Sequence, residues 1–410
     1  MKAIVMLVLL GVVAGCSSNQ WQVRSLPQPQ AVAAALDAKP DPIAMGEFDV
    51  LGYPKATMPQ SVRPCCAFGN NHKIKMGATH IPFYRFSNTV SIDDIGPHAF
   101  DAGNFSHQKG LPNGRRGGEN NGLIYTLKGG FIDLAHVRDT ADNTVALFYL
   151  IQRRLGQEFT VALPDEIGQR YIQFHAFDTS TLSATALREL AIHVAARQAY
   201  FMAEAHEIAQ WHGYRTLAPW SETVSAYSPE DLYSNMLGAK IATALLSNNL
   251  AMNTELYNQH MTQWLDATLR YLVPVDKAQT AELLEAVDGL WWDSSEPLPS
   301  KAMLLLRHYQ MGDEQKPYLV PFNLVTQQEL TNVVKQQTAH RLSLPASLQS
   351  IELDDIALQH LFVAERYQAS FEHIPERLWR DGFTHLDFME VAQFDQQFDE
   401  AASHQQEDAQ

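Results

Sequence analysis

The feature that most constrains the fold is a run of 27 residues, 185–211, without glycine or proline. Its sequence is TALRELAIHVAARQAYFMAEAHEIAQW, and Gly213 follows soon after it. Because alanine has the highest helix propensity and glycine marks helix ends, the run predicts one long helix. Its many small residues allow other elements to approach closely, which favours a helix buried on more than one side.

The character of the chain changes at about residue 181. Before that point, LIYTLKGGFIDLAHV predicts a hairpin through Gly129-Gly130, and EFTVALP with RYIQFHAF predicts a second strand pair. TADNTVALFYLIQRRLG, between these pairs, predicts a helix that ends near Gly156. After that point the segments predict helices, and SPEDLYSNMLGAKIATALLS has Ser228 as its expected N-cap.

These patterns predict an α+β fold, with a β-containing N-terminal half packed against a mainly helical C-terminal half. The length of the chain is ample for a substantial hydrophobic core. The predicted parts are a signal peptide (1–15), a lipidated Cys16 with a flexible tether (16–45), an α+β half (46–180), a helical half (181–345), a C-terminal mixed segment (346–399) and a disordered tail (400–410).

The N-terminus indicates where the protein resides. Met1-Lys2 precedes AIVMLVLLGVVAGC, an apolar run too short to span a bilayer comfortably. Val13-Ala14-Gly15-Cys16 resembles the lipoprotein box of bacteria, in which the cysteine receives diacylglycerol and a further acyl chain such as palmitate. Ser17 in the next position resembles the sorting signal for the outer membrane. We therefore expect a lipid-anchored outer-membrane protein facing the periplasm, with surface exposure as the other orientation; an ordinary cleaved signal is the alternative.

The composition limits the partners. A net charge of −16 opposes binding to nucleic acid and to anionic lipid head groups. The expected partners are the membrane, through the N-terminal lipid, and a substrate or protein of the cell envelope. Cys65 and Cys66 are then the only other cysteines, and they can form a vicinal disulfide, remain thiols or bind a metal.

The stretch AHEIAQWHGY, 205–214, suggests a metal site but lacks the zincin motif. That motif needs a second histidine four residues after the first, and Gln210 occupies this position. His206 among alanines is either a hydrogen-bonded core residue or a ligand. Glu204 and Glu207 belong to a polar stripe of the helix, which is an ion-pair network, a cleft wall or a solvated face.

A second group of polar residues lies in GFIDLAHVRDTAD. Asp133, His136, Asp139 and Asp142 are spaced three apart. If the helix begins at Asp139, this residue is its natural cap and Asp142 lies in the first turn. Asp133 and His136 have no such local role, because an acid inside an apolar strand is costly unless it is paired. They are therefore the stronger candidates for a site.

Four blocks, RPCCAFG, NGLIYTLKGGFIDLAHVRDTAD, HEIAQWHG and SAYSPEDLYSNMLG, together resemble an uncharacterised family of bacterial lipoproteins, the domain of unknown function 4056. The resemblance covers roughly residues 47–330. It implies a family and a cell compartment, but it supplies neither an activity nor a catalytic residue.

Three hypotheses for function remain. In the first, His136 and His206 with Asp133, Glu207 or Asp139 bind a divalent metal such as zinc, or act as base and acid, in a hydrolase of a cell-envelope substrate. In the second, the protein is a non-enzymatic envelope binding or assembly protein. The third is a Cys-His enzyme that pairs Cys65 or Cys66 with His136. Glu204 and Glu230, which adjoins Ser228, are secondary candidates.

Overall fold

The computed structural model describes residues 26–37, 57–64, 67–76, 79–107, 111–112, 118–216 and 221–407. The predicted signal peptide, Cys16, Cys65 and Cys66 lie outside these residues. The described chain has an α+β fold, as predicted, with long helices and several small antiparallel sheets.

The long helices predicted from the sequence are confirmed. The helices are α1 (Pro29–Asp37), α2 (Leu134–Ile151), α3 (Ala184–Trp211), α4 (Asp231–Ser247), α5 (Thr254–Tyr271), α6 (Lys277–Ala286), α7 (Gln328–Val334), α8 (Leu353–Ile356), α9 (Glu365–Gln368) and α10 (Phe388–Glu407). Ser183 caps α3 by accepting a hydrogen bond from the Ala186 amide, and Gly213 follows the helix with a positive φ of 92°.

Both predicted strand pairs are also present. The strands are β1 (Ser61–Val62), β2 (His72–Met76), β3 (Thr79–Phe86), β4 (Phe105–Ser106), β5 (Leu111–Pro112), β6 (Leu123–Thr126), β7 (Gly130–Asp133), β8 (Phe159–Leu163), β9 (Arg170–Phe174), β10 (Glu314–Gln315), β11 (Leu342–Ser343), β12 (Ser347–Leu348), β13 (Ile351–Glu352), β14 (Ala357–Leu361) and β15 (Phe383–Thr384). The β6–β7 hairpin turns where predicted, and β15-β14-β9-β8 form a four-stranded antiparallel sheet.

Three helices from both halves of the chain form the centre of the core. α2 packs against α3 and α4, and α3 packs against α4. The approach of α4 to α2 requires Gly238, because a Cβ atom there would lie 2.1 Å from the Val137 carbonyl oxygen. A second, more aromatic core surrounds the hairpin and includes Phe68, Tyr125 and Trp292. The two halves are therefore interlocked.

Two parts of the chain differ from the expectations. Residues 29–37 of the predicted tether form α1, which packs against α4 and α5 with Val32 and Leu36 buried. The tail predicted to be disordered from residue 400 continues α10 to Glu407. In residues 29–37 the spacing of Val32 and Leu36 was overlooked because polar residues and prolines surround it. Among the described residues, no helix has the length and apolar character needed to cross a membrane.

Candidate metal centre

Asp133 lies where the hairpin passes into α2. It is the last residue of β7 and the N-cap of α2, and its Oδ1 accepts a hydrogen bond from the Ala135 amide at 2.7 Å. The prediction that Asp139 caps this helix was therefore wrong, because the helix begins five residues earlier. Asp133 is fully buried. The spacing of three residues places His136 on the same side of the first turn.

Asp231 reaches the same place from the start of α4. The Asp133 amide donates to Ser234 Oγ at 2.9 Å, which joins the first turns of the two helices. Ser228 is not the N-cap that the sequence suggested: the cap position is Glu230, which makes no capping hydrogen bond. Ser228 Oγ instead donates to Glu230 Oε2 at 2.6 Å. The turn before α4 contains Tyr227 in the left-handed region, with a φ of 57°.

Asp133, His136 and Asp231 bring one ligand atom each within 4.8 Å of one another. His136 Nε2 lies 3.2 Å from Asp231 Oδ1, yet neither oxygen of Asp231 accepts a hydrogen bond from the described residues. Two atoms that bind one zinc ion tetrahedrally at about 2.0–2.2 Å lie about 3.3 Å apart. The separation therefore matches that of two ligands of one ion.

Glu207 and Glu230 add two further buried carboxylates. Glu207 Oε2 accepts the Tyr227 amide at 2.6 Å, whereas Glu207 Oε1 and Glu230 Oε1 have no hydrogen-bond partner among the described residues. Burial and the nearby carboxylates raise the pKa of Glu230 to about 8. Burial, followed by Glu230 and Glu207, raises the pKa of Asp231 well above its usual range. These carboxyl groups therefore favour their neutral form unless a cation lies beside them.

A cavity of about 330 Å³ adjoins this group, with His136 and Asn235 in its wall. Asp133 and Asp231 do not line the cavity, although both lie beside His136. Asp139, Glu166, His206 and Glu222 also line it. The volume is at the lower end of the range for small-molecule sites. An ion held by the three residues would therefore lie at the edge of a space that can admit a ligand.

His206 lines the cavity without belonging to the group around Asp231. Its Nδ1 lies 2.9 Å from Glu166 Oε1, and its Nε2 lies 3.7 Å from Glu222 Oε2. Although burial opposes the charged form, Glu166 and then Glu222 raise the pKa of His206 to about 9. Although burial also opposes the carboxylate, Arg170 and His206 lower the pKa of Glu166 to about 2. At neutral pH the pair is an imidazolium and a carboxylate.

The other predicted site residues are spread over the structure. Asp139 lines the cavity and accepts Arg63 Nη1 at 2.6 Å. Glu204 is buried away from the cavity, where its Oε1 accepts the Gly312 amide at 2.6 Å. His212 caps the C-terminal end of α3 and is buried beside Asp395 at 3.4 Å. Burial lowers the pKa of His212, although Asp395 opposes this shift.

Several residues of the site were missed from the sequence. Asp231, Glu166, Glu222 and Asn235 were not among the candidates selected from the sequence. Glu166 lies in the turn between β8 and β9, and Glu222 lies between α3 and α4. The acid pair Glu230-Asp231 beside a buried, apolar helix was the one local signal that could have indicated the site.

The family model described as protein of unknown function (DUF4056) matches residues 53–321. This is well over half of the chain, so the chain belongs to that family, as the four sequence blocks suggested. The match includes every residue of the group around Asp231 and of the cavity wall. No curated protein and no solved structure gives a significant match to the chain.

Proposed function

We propose that this family member is a divalent-metal-dependent hydrolase of the cell envelope, held at the outer membrane by a lipid on Cys16. The observation that carries the enzymatic part is the buried group of Asp133, His136 and Asp231 beside the cavity. Three protein ligands with a fourth position for water or substrate are typical of catalytic zinc sites.

Charge supports an ion at this position. Asp133, Glu207, Glu230 and Asp231 are all buried, and no lysine or arginine of the described chain lies within ion-pair distance of Glu207, Glu230 or Asp231. Buried carboxylates normally pair with cations or coordinate metals because isolated ones are costly. One imidazole nitrogen with carboxylate oxygens suits zinc, and also manganese.

The cavity side of the centre offers what hydrolysis needs. A bound metal ion lowers the pKa of its water ligand to about 7 and so provides a nucleophile at neutral pH. His206 is protonated at that pH and is held by Glu166, so we assign to it the donation of a proton to the leaving group. The two histidines thus have different roles: His136 binds the ion and His206 moves a proton.

Asn235 would help to position the imidazole that holds the ion. Its amide nitrogen lies 3.3 Å from His136 Nδ1 and donates to the Asp231 carbonyl at 2.9 Å, and its oxygen accepts from the Thr140 hydroxyl at 2.6 Å. These contacts fix the amide between α2 and α4, and they support the orientation in which His136 Nε2 lies beside Asp231.

Metal analysis of the purified full-length protein tests the proposal. After incubation with zinc chloride and dialysis, we expect about one ion per chain, and hydrolysis of an envelope-derived substrate that a chelator stops. His136→Ala and Asp231→Asn should lose the ion, whereas His206→Gln should keep it and lose turnover. His260→Ala, in α5 and outside the cavity wall, is the matched control.

Two results would change the proposal. Folded wild-type protein that retains no divalent ion would refute the metal centre. Retention of the ion without hydrolysis in a broad substrate panel would instead favour a binding or assembly protein of the envelope.

The anchoring part has its own test. Cys16 is the cysteine of the lipoprotein box, and one acyl chain gives only marginal membrane binding, so stable attachment needs the diacylglycerol and the further chain. Cys16→Ser should release the protein from the outer-membrane fraction in high salt. A variant that stays with the membrane would overturn the lipid anchor.

The net charge of −16 supports the expectation that nucleic acid is not a partner.

A further inference from the structure

A groove of about 650 Å³ lies apart from the cavity and shares none of its lining residues. It is formed mainly by the extended segment 308–319 together with residues 339–341. Its lining includes two cations, one acid, one tyrosine and several polar side chains. These are Lys316, Arg341, Glu314, Tyr318, His308, Gln310 and Gln315.

The two cations flank a short strand pair. β10 pairs antiparallel with β11, with Gln315 opposite Leu342. Lys316 directly follows β10 and Arg341 directly precedes β11, so they occupy the next position if this register is continued, and both line the groove. Like charges at opposing positions destabilise a strand pair. Neither side chain forms an ion pair within the described part of the chain, and Glu314 does not bridge them.

Two buried polar side chains in the groove lack a hydrogen-bond partner. His308 is 5% exposed and Gln315 is 1% exposed, yet His308 Nδ1 and Gln315 Oε1 have no partner among the described residues. Gln315 Nε2 donates to the Tyr200 hydroxyl and to the Gln310 carbonyl, both at 2.9 Å, which fixes the amide. Gln315 Oε1 is thus left without a donor from the described part of the chain, and a buried polar atom left unpaired costs about 1–3 kcal/mol.

We propose that this groove binds a carboxylate-bearing saccharide. The carboxylate meets Lys316 and Arg341, where it removes the repulsion between them. Sugar hydroxyls donate to Gln315 Oε1 and pair with His308 Nδ1, and the half-buried ring of Tyr318 provides an aromatic surface for a sugar ring. The volume accommodates more than a single ion, which favours a short saccharide segment over free phosphate or carboxylate.

Calorimetric titration of the full-length protein in detergent tests this assignment with three defined probes. The probes are trigalacturonate, the neutral trisaccharide maltotriose, and the acidic peptide Glu-Glu-Glu. We expect trigalacturonate to bind. Its affinity should fall as the salt concentration is raised, because salt screens the charges at the surface. Maltotriose should bind about tenfold more weakly or not at all, since it lacks the carboxylate.

Variants separate the groove from overall charge. Lys316→Gln with Arg341→Gln should weaken trigalacturonate binding about tenfold or more. Lys277→Gln with Arg366→Gln removes the same charge from positions outside the groove and should leave binding unchanged. Gln315→Leu should weaken the binding of trigalacturonate but leave the salt dependence of that binding unchanged, because it removes a hydrogen-bond acceptor and no charge.

Three results would overturn the proposal. The first is folded protein that gives no saturable binding of trigalacturonate. The second is an equal loss of affinity in the groove variant and in its charge-matched control. The third is tight binding of the acidic peptide with none of the saccharide, which would assign the groove to a peptide. None of these outcomes depends on the metal centre.

Discussion

α2 contributes to two buried carboxylate clusters that differ in what balances their charge. The Arg63 cluster consists of Arg63, Arg138, Glu119, Asp139 and Asp142. The Asp231 cluster consists of Asp133, His136, Glu207, Glu230 and Asp231. In the first cluster the chain supplies its own cations. In the second it supplies one imidazole and no guanidinium or ammonium at ion-pair distance from Glu207, Glu230 or Asp231.

The contrast is clearest in two aspartates of similar burial. Asp142 is 1% exposed, and Asp231 is fully buried. Asp142 accepts from Arg63 Nη1 at 2.9 Å and from the Tyr257 hydroxyl at 2.7 Å, and His98 Nε2 lies 2.9 Å from it. Although burial opposes its charge, His98 and Arg63 hold the pKa of Asp142 below the usual range.

Burial raises the pKa of Asp231 instead, and the neighbouring acids raise it further. The same residue type, at the same depth and on adjacent helices, is satisfied in one cluster and unsatisfied in the other. The fold pairs the acids of the Arg63 cluster with its own arginines, whereas Asp231 has no lysine or arginine partner among the described residues, which favours a cation from solution beside it. This difference is the physical argument for the metal centre.

The largest expected effect comes from changing each aspartate to asparagine in chelator-treated protein. Asp142→Asn breaks a paired network and should lower the free energy of unfolding by about 3 kcal/mol. Asp231→Asn replaces a buried carboxyl group whose ionised form is disfavoured by burial and by the neighbouring acids, and it should raise the free energy of unfolding by about 1 kcal/mol. Urea unfolding of the two variants beside the wild type measures both changes.

In the presence of zinc, Asp231→Asn should become less stable than the wild type instead of more stable. At a free concentration of about 100 times its dissociation constant, an ion stabilises the folded state by about 2.7 kcal/mol. Wild type and Asp142→Asn should gain this amount, and Asp231→Asn should not. Equal destabilisation by both substitutions in the absence of metal would show that Asp231 is paired in the folded protein, and the contrast between the clusters would disappear.

The sequence predicted the elements that carry these clusters better than it predicted the clusters. The alanine-rich α3, the β6–β7 hairpin and the start of α4 near Asp231 all follow from local patterns of propensity and spacing. Asp133 and His136 were selected because no local structural role explained them, and because an acid in an apolar strand is costly unless it is paired. That argument was sound for burial, although Asp133 proved to be the helix cap.

The partners could not be predicted, because they are distant in sequence. Asp231 lies about 100 positions after Asp133, and the contact depends on the close approach of α4 to α2 at Gly238. Glu166 and Glu222 are in connecting segments, where no periodicity indicates which side chain points inward. The same argument applies to Arg63, whose role is visible only once β1 lies beside α2.

A smaller effect on stability comes from the His206–Glu166 pair, because the positive charge of His206 depends on pH. The folded pKa of His206 is raised to about 9, from an ordinary value of about 6.5. Between these values the folded protein holds a proton that the unfolded chain has released, so stability is greatest below about pH 6.5 and is lost as pH rises through about 9. The titratable groups that interact with the ring are Glu166, Glu222, Glu207, His107, His136 and Tyr214.

Urea unfolding between pH 6 and pH 9.5, with chelator present, measures this loss. Because the ring is partly exposed, we expect a decline of about 1–2 kcal/mol rather than the full value of the shift. His206→Gln should flatten the profile relative to the wild type, while His260→Gln should run parallel to it. A wild-type profile with the same slope as His206→Gln would mean that His206 is neutral in the folded protein, and its assigned proton-donor role would fail.

The smallest expected effect is at Ser228, which links the Asp231 cluster to the turn before α4. As an N-cap its removal would cost about 1 kcal/mol and loosen the first turn of α4. In the structure its hydroxyl donates to Glu230 Oε2, so its effect depends on that carboxylate. Ser228→Ala should therefore lower the free energy of unfolding less in a Glu230→Gln background than in the wild type. Unfolding of the two single variants and the double variant gives the coupling, which we expect to be about 0.5 kcal/mol. If the changes in the free energy of unfolding were additive, and amide exchange in the first turn of α4 were faster, Ser228 would be a helix cap after all. It would then have no role in stabilising the carboxylates of the Asp231 cluster.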